Sequence, residues 1–117
     1  MIRIVLLMAL VGSACGADKA KDCDAKRGNF TAAVEAVRAD HRACAVTADC
    51  TMVDLVSDCG PFCSLPVAIE GAAVVEQAVV DANARYCGGY KDLDCPDIAL
   101  DCATIGPTCD NNLCISH

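Results

Sequence analysis

Cysteine is the residue type in this chain that offers the most chemistry. The sequence of 117 residues contains 11 cysteines, a share above the level typical of short secreted disulfide scaffolds. Cysteine sulfur can form a disulfide, bind a soft metal ion or act as a redox thiolate. One cysteine, Cys15, follows an N-terminal apolar segment. The other ten come later: Cys23, Cys44, Cys50, Cys59, Cys63, Cys87, Cys95, Cys102, Cys109 and Cys114.

An even number of cysteines is what a disulfide framework requires, and ten cysteines predict five bridges. Disulfides persist in oxidising compartments, so the pattern indicates an exported protein. Ten cysteines allow about 945 pairings, and their connectivity therefore stays open. We expect each bridge to contribute about 2–4 kcal/mol to stability.

One pair of cysteines has a spacing close to a redox motif. The segment Cys59-Gly60-Pro61-Phe62-Cys63 resembles the Cys-Gly-Pro-Cys of thioredoxins, with Phe62 inserted between the cysteines. A helix that begins after this segment would lower a thiol pKa there, but no βαβ pattern precedes it. A thiol–disulfide oxidoreductase that uses Cys59 and Cys63 is therefore an alternative and not the leading interpretation.

No other set of side chains has the spacing of a catalytic or metal site. After Cys87 the cysteines follow at steps of 8, 7 and 7 residues, without the paired C-x₂-C of zinc knuckles. The aspartates between residues 92 and 101 lack the register of a calcium loop. His41 and His117 have no serine partner in a suitable context. We expect no catalytic residue, no metal ligand and no cofactor.

The first 14 residues have the pattern of a bacterial-type signal peptide. Arg3 precedes the apolar run Ile4–Val11, which as a helix would span only about 12 Å, too short to cross a bilayer. The following segment, Val11-Gly12-Ser13-Ala14-Cys15-Gly16, resembles the lipobox of bacterial lipoproteins. This resemblance implies that Cys15 carries a lipid and anchors the chain to a membrane.

Two residues of this segment bear on how the chain is exported. Gly12 stands where the lipobox prefers an aliphatic residue, so cleavage without acylation, after Ala14, Gly16 or Ala17, is the alternative. Gly16 after the cysteine implies sorting to the outer membrane in the Gram-negative pattern. The sequence thus predicts an outer-membrane lipoprotein, or else a periplasmic or extracellular protein.

The charge of the chain limits its partners. The formal net charge is −7, which argues against binding to nucleic acid or to anionic headgroups. We expect contact with a membrane through the lipid on Cys15, together with an extracytoplasmic protein partner whose identity the sequence leaves open.

The elements that must position the cysteines form one small domain. Residues 15–28 are polar and predict a tether, and residues 29–117 predict an α+β domain of two layers that is stapled by disulfides. Its helices are expected at about 30–44 and 66–86, with a strand at 51–56, a further strand at 98–104 and a C-terminal β-hairpin around Asn111-Asn112. Parallel helices would gather Cys44, Cys50, Cys87 and Cys95 at one end, whereas antiparallel helices would place Cys23 near Cys87.

Three segments around the cysteines resemble a known group of proteins. They are residues 48–53, 58–63 and 107–114, within a loose likeness over residues 40–115. The group is that of small cysteine-rich bacterial lipoproteins of the myxobacterial type, and the resemblance implies no activity. The leading interpretation is a non-enzymatic envelope protein with a structural or binding role. An inhibitor of an extracellular hydrolase is the alternative, favoured if Phe62 is exposed between bridged cysteines.

Overall fold

The computed structural model describes residues 15–117, with side chains from Ala20 onward. The predicted signal peptide, residues 1–14, lies outside the described residues. The helices are α1 (Cys15–Arg38) and α2 (Ala72–Tyr86), and the strands are β1 (Cys50–Val53), β2 (Leu65–Ala68), β3 (Thr108–Asp110) and β4 (Leu113–Ile115). Two helices and two small antiparallel sheets, joined by five disulfides, confirm the disulfide-stapled α+β fold.

Both sheets are two-stranded hairpin pairs. In the first sheet β1 pairs with β2, and Cys50 lies opposite Ala68. In the second, β3 and β4 are joined at Asn111 and Asn112, whose φ angles are 50° and 61°. Asparagine tolerates positive φ better than most residues, so the predicted hairpin is confirmed together with its turn.

The two helices run antiparallel, which settles the arrangement that the sequence left open. Near the end of α1, Arg38 Nε donates to the carbonyl oxygen of Pro66, shortly before α2 begins. In the first half of α1, Lys26 Nζ donates to the carbonyl oxygen of Gly88, just after α2 ends. The start of α1 therefore lies beside the end of α2, on the same side as Cys87.

The main core lies between the helices and the β1–β2 sheet. Its members are all apolar, and no buried polar or charged side chain occurs among residues 20–117. The fully buried side chains of this core are Phe30, Val34, Val53, Val67, Val75, Cys59 and Cys87. Phe30 and Val34 lie four residues apart on α1, the spacing that brings side chains to one face of a helix.

Five disulfides join segments that are distant in sequence. The pairs are Cys23–Cys95, Cys44–Cys109, Cys50–Cys114, Cys59–Cys87 and Cys63–Cys102. Cys59–Cys87 is fully buried in the main core. Cys44, Cys50 and Cys114, with Cys109 packed against them, form a separate cluster under the C-terminal hairpin. Sulfur thus supplies the buried contacts that hold β3 and β4 to the rest of the domain.

Arginine side chains hold several irregular segments through backbone carbonyl oxygens. Arg27 donates to the carbonyls of Cys59 and Pro61, at 2.8 and 3.0 Å, and Arg42 donates to Cys114. The planar guanidinium can serve two acceptors at once. These contacts hold segment 59–61 against α1 and the C-terminal hairpin against the chain that follows α1.

The first predicted helix is displaced toward the N-terminus. It was expected over 30–44 but spans Cys15–Arg38, since the chain from His41 to Cys44 instead contacts the sheets. The carbonyl of His41 accepts the Ala68 N–H, and Ala43 forms a bridge with Leu113. The tether expected at residues 15–28 is also wrong, because these residues are helical and Cys23 among them is buried and bridged.

Two further predicted boundaries are wrong. The helix expected over 66–86 begins only at Ala72, because residues 65–68 pair with β1. The strand expected over 51–56 is confirmed only as far as Val53. Beyond it, buried and exposed side chains still alternate through residue 56, as they do in a strand. The strand expected over 98–104 does not form, and residues 95–107 contain neither helix nor strand.

Candidate functional site

The ten predicted disulfide cysteines all form disulfides, but Cys59 and Cys63 do not form the pair that an oxidoreductase would need. Cys59 bonds to Cys87 and Cys63 bonds to Cys102, so Cys59 and Cys63 are not bonded to each other. Cys59 is also fully buried. A dithiol pair of the thioredoxin kind must exchange with a partner at the surface, and this buried arrangement does not provide one.

Phe62, whose exposure would favour an inhibitor, packs against the core. Its ring centroid lies 4.9 Å from that of Phe30, and the Arg27 guanidinium lies 4.0 Å from the Phe62 centroid. The Phe62 side chain is partly buried, and Cys59 and Cys63 are bridged to other segments. Phe62 therefore lacks the exposure that would favour an inhibitor.

One group of sulfur atoms is close enough to resemble a metal centre. The Sγ atoms of Cys44, Cys50 and Cys114 lie within 4.8 Å of one another. The three cysteines belong to two disulfides, Cys44–Cys109 and Cys50–Cys114, which lie next to each other under the hairpin. Metal binding by cysteine requires the thiolate, so the cluster is a pair of neighbouring bridges rather than a set of ligands.

The histidines have structural contacts. His41 packs against Gly71 so closely that a Cβ added at Gly71 would lie 2.5 Å from its Cβ. His117 Nε2 forms a hydrogen bond of 2.9 Å with the Thr108 hydroxyl. Neither contact brings a nucleophile and a carboxylate to the imidazole in the way that a catalytic triad requires.

The fold lowers the pKa of Asp49. Its carboxylate accepts the backbone N–H groups of Ala45 and Val46, at 2.9 and 3.1 Å. Hydrogen bonds to the charged form stabilise it, and these two hold the pKa of Asp49 below its ordinary value. The carboxylate lies in the turn before β1 and fixes the chain between two bridged cysteines, Cys44 and Cys50.

Two open grooves flank α2, and together they are the candidate binding surface of the domain. The larger, here called the α1–α2 groove, has a volume of about 580 Å³. Its apolar lining comes from both helices: Ala33, Val37, Ala73, Val74, Ala78, Ala82 and Tyr86. Its polar lining residues are Gln77, Asp81 and Arg85, all on α2. One acid and one base thus lie on the same groove, which therefore carries no net charge.

The smaller groove, here called the β1–α2 cleft, lies on the opposite flank of α2. Its volume is about 440 Å³, and it is lined by Met52, Asp54, Val56, Glu76, Val79, Val80 and Asn83. Val56 and Val80 are 79% and 62% exposed, the former being among the most exposed large apolar side chains of the domain. Grooves of a few hundred Å³ with an apolar floor and a few polar groups are typical of binding sites.

Sequence reasoning missed both grooves. Val56 was assigned to a strand, and Val80 falls in the broadly apolar helix that was expected to be the centre of the domain. The lining residues of each groove come from segments at least 20 positions apart, so only the fold brings them together. One available signal is the valine pair Val79-Val80, since adjacent helical positions cannot both face one core.

Within residues 15–117, neither helix has the length and apolar character that crossing a bilayer requires. Comparison with known protein families, curated proteins and solved structures finds no match for the chain.

Proposed function

We propose that the chain is an exported protein of the cell envelope, anchored by a lipid on Cys15, which acts by binding another extracytoplasmic component. The observation that carries this proposal is the complete pairing of the ten cysteines from Cys23 to Cys114. Five bridges require an oxidising compartment. Because these ten cysteines bond to one another, none remains to pair with Cys15, and acylation gives that sulfur a role.

The position of Cys15 on α1 gives the anchor a defined geometry. Cys15 and Cys23 lie on the same helix, eight residues apart, which corresponds to about 12 Å along the axis. Cys23 is cross-linked to Cys95. A lipid on Cys15 would therefore hold the domain close to the membrane surface, through about two turns of helix instead of an unstructured tether.

The binding role is supported by the two grooves beside α2. Contiguous exposed apolar side chains mark interaction sites, and the exposed Val56 and Val80 line the same cleft. The irregular segment 95–107 adds two more exposed apolar side chains, Leu100 and Ile105. Long ordered segments without helix or strand are frequent at binding surfaces.

Lipid anchoring is tested by fractionation of the full-length chain in a Gram-negative host. The chain should incorporate a labelled fatty acid and sediment with membranes, whereas Cys15→Ser should abolish the label and release the protein. Gly16→Ser keeps the cysteine and serves as the matched control, with unchanged label. An unlabelled wild-type chain that begins at Asp18, or a Cys15→Ser chain that stays in the membrane fraction, contradicts the anchor.

A further inference from the structure

The β1–α2 cleft combines exposed apolar side chains with acidic ones. Along the extended chain, Val53 and Leu55 face the core, so Met52, Asp54 and Val56 face the cleft, as the period of two of an extended chain requires. From the helix side Glu76 and Val80 line the same cleft, one turn of helix apart.

The charge of the cleft is uniformly negative. Asp54 and Glu76 are both exposed, and none of the described residues that line the cleft is a lysine or arginine. Asp58 adds a third carboxylate at one end, where Asn83 Nδ2 donates to it at 3.2 Å. Among residues 20–117 the ion pair that forms joins Arg38 to Glu35, so these three carboxylates have no cationic partner within the described domain.

We infer that the β1–α2 cleft is a docking surface for a basic, apolar segment of an extracytoplasmic protein. Apolar side chains of the segment cover Val56 and Val80, and its lysine or arginine side chains lie against Asp54 and Glu76. An apolar centre with a polar rim is the arrangement of protein interfaces, and opposite charges at the rim set the choice of partner. This inference rests on the binding role proposed above but not on the lipid anchor.

The α1–α2 groove supplies the contrast. It is larger, but it is lined by both Asp81 and Arg85 and so offers no preference for the sign of a partner's charge. Val74 in that groove is 48% exposed, and it lies on the same helix as Val80. The two valines therefore form a matched pair that distinguishes the two grooves.

The test uses the mature chain with Cys15→Ser, so that neither lipid nor detergent competes for the probe. Binding of a fluorescent peptide of alternating leucine and lysine is measured by anisotropy, alongside serine–lysine and leucine–glutamate peptides. The leucine–lysine peptide should bind the most tightly. Val80→Lys should weaken its binding by about tenfold or more, because it adds a like charge and removes an apolar contact. Val74→Lys should change it by less than about twofold.

A second pair of substitutions addresses the carboxylates. Asp54→Asn with Glu76→Gln should weaken binding by about threefold to tenfold, the range for exposed charge pairs, and should reduce its dependence on salt. Equal binding of the serine–lysine peptide, or equal effects of Val80→Lys and Val74→Lys, would attribute the attraction to the net charge of the chain and overturn the inference. Failure of the leucine–lysine peptide to bind would also overturn the inference. The lipid anchor on Cys15 would not be affected by that result, because the fractionation experiment tests it separately.

Discussion

The disulfides Cys59–Cys87 and Cys63–Cys102 offer a test of what a bridge contributes to this fold. Cys59 and Cys87 are both fully buried in the main core. Cys102, in contrast, is exposed and tethers the irregular segment 95–107. We predict that replacing Cys59 and Cys87 together with alanine destabilises the protein more than replacing Cys63 and Cys102 together.

Loop entropy alone predicts the opposite order. The sequence separation of 28 between Cys59 and Cys87 corresponds to about 3.6 kcal/mol of unfolded-state entropy. The separation of 39 between Cys63 and Cys102 corresponds to about 3.9 kcal/mol.

Packing reverses that order. Removal of two buried sulfur atoms leaves two voids of about methyl size, each of which costs about 1 kcal/mol. Without its bridge, segment 95–107 gains freedom in the folded state as well, which offsets part of the unfolded-state effect. The two voids outweigh the small difference in loop entropy, so the buried pair should cost about 2 kcal/mol more than the exposed pair.

Thermal unfolding followed by far-ultraviolet circular dichroism measures this difference. Each double variant removes both cysteines of one bridge, so no unpaired cysteine is left among residues 23–114. A difference of about 2 kcal/mol corresponds to about 10 °C in Tm for a domain of this size. Equal losses, or a larger loss from the Cys63–Cys102 pair, would show that loop entropy dominates and that burial of the sulfurs contributes little.

Three further predictions concern the state of all ten bridged cysteines, two glycines at or near the helices, and the carboxylate of Asp49. In the oxidised protein none of the cysteines from Cys23 to Cys114 should react with a thiol reagent, and two or more reactive thiols would contradict this. Full reduction should abolish the near-ultraviolet dichroism, while part of the helical signal of α2 persists. Gly71→Ala should cost about 1–3 kcal/mol in urea unfolding, because its Cβ would collide with His41. His41→Gly, which removes the Cβ that the new methyl group would meet, should recover part of that loss. Gly28→Ala, where the space is open, should stabilise α1 by about 0.5–1 kcal/mol. Because the folded-state pKa of Asp49 is lowered, its contribution is present above its unfolded pKa and is lost as the pH falls through the folded value. Asp49→Asn should therefore be less stable than the parent near neutral pH and equal to it in acid, and a pH-independent difference in unfolding midpoint would refute the role of the charge.

Local sequence signals predicted the elements whose contacts are local. The end of α2 at Tyr86 follows from Gly88-Gly89, and Gly89 has a φ of 77° that favours glycine. The C-terminal hairpin follows from its two asparagines. In both cases a few adjacent residues determine the backbone conformation.

The boundaries that sequence reasoning missed depend on distant partners. Residues 65–68 are apolar and follow a serine, a pattern that suits a helix start as well as a strand, and pairing with β1 decides between them. The first half of α1 has no apolar periodicity: among residues 20–29 of that helix, Cys23 is the one buried side chain. The polar composition of this segment therefore gave no indication that it is helical.

The same distinction holds for the sites. The parity of the cysteine count predicted that ten cysteines pair, and the structure forms five bridges. Which cysteines pair depends on the antiparallel helices and on the contact of the hairpin with residues 43–44, neither of which the spacing contains. The grooves are harder to predict from the sequence, because alanine and valine residues do not indicate a binding site by themselves. The grooves exist only where two separate segments pack beside each other.

The order of the bridges along the chain bears on how the protein withstands proteases outside the cell. Segment 95–107 has no helix or strand and exposes Leu100 and Ile105, so it is an accessible site for cleavage. A cut anywhere between residues 96 and 107 leaves Cys109 and Cys114 on the C-terminal fragment, still bonded to Cys44 and Cys50. The nicked protein therefore stays in one piece, with its hairpin in place, and separates into two bands only after reduction.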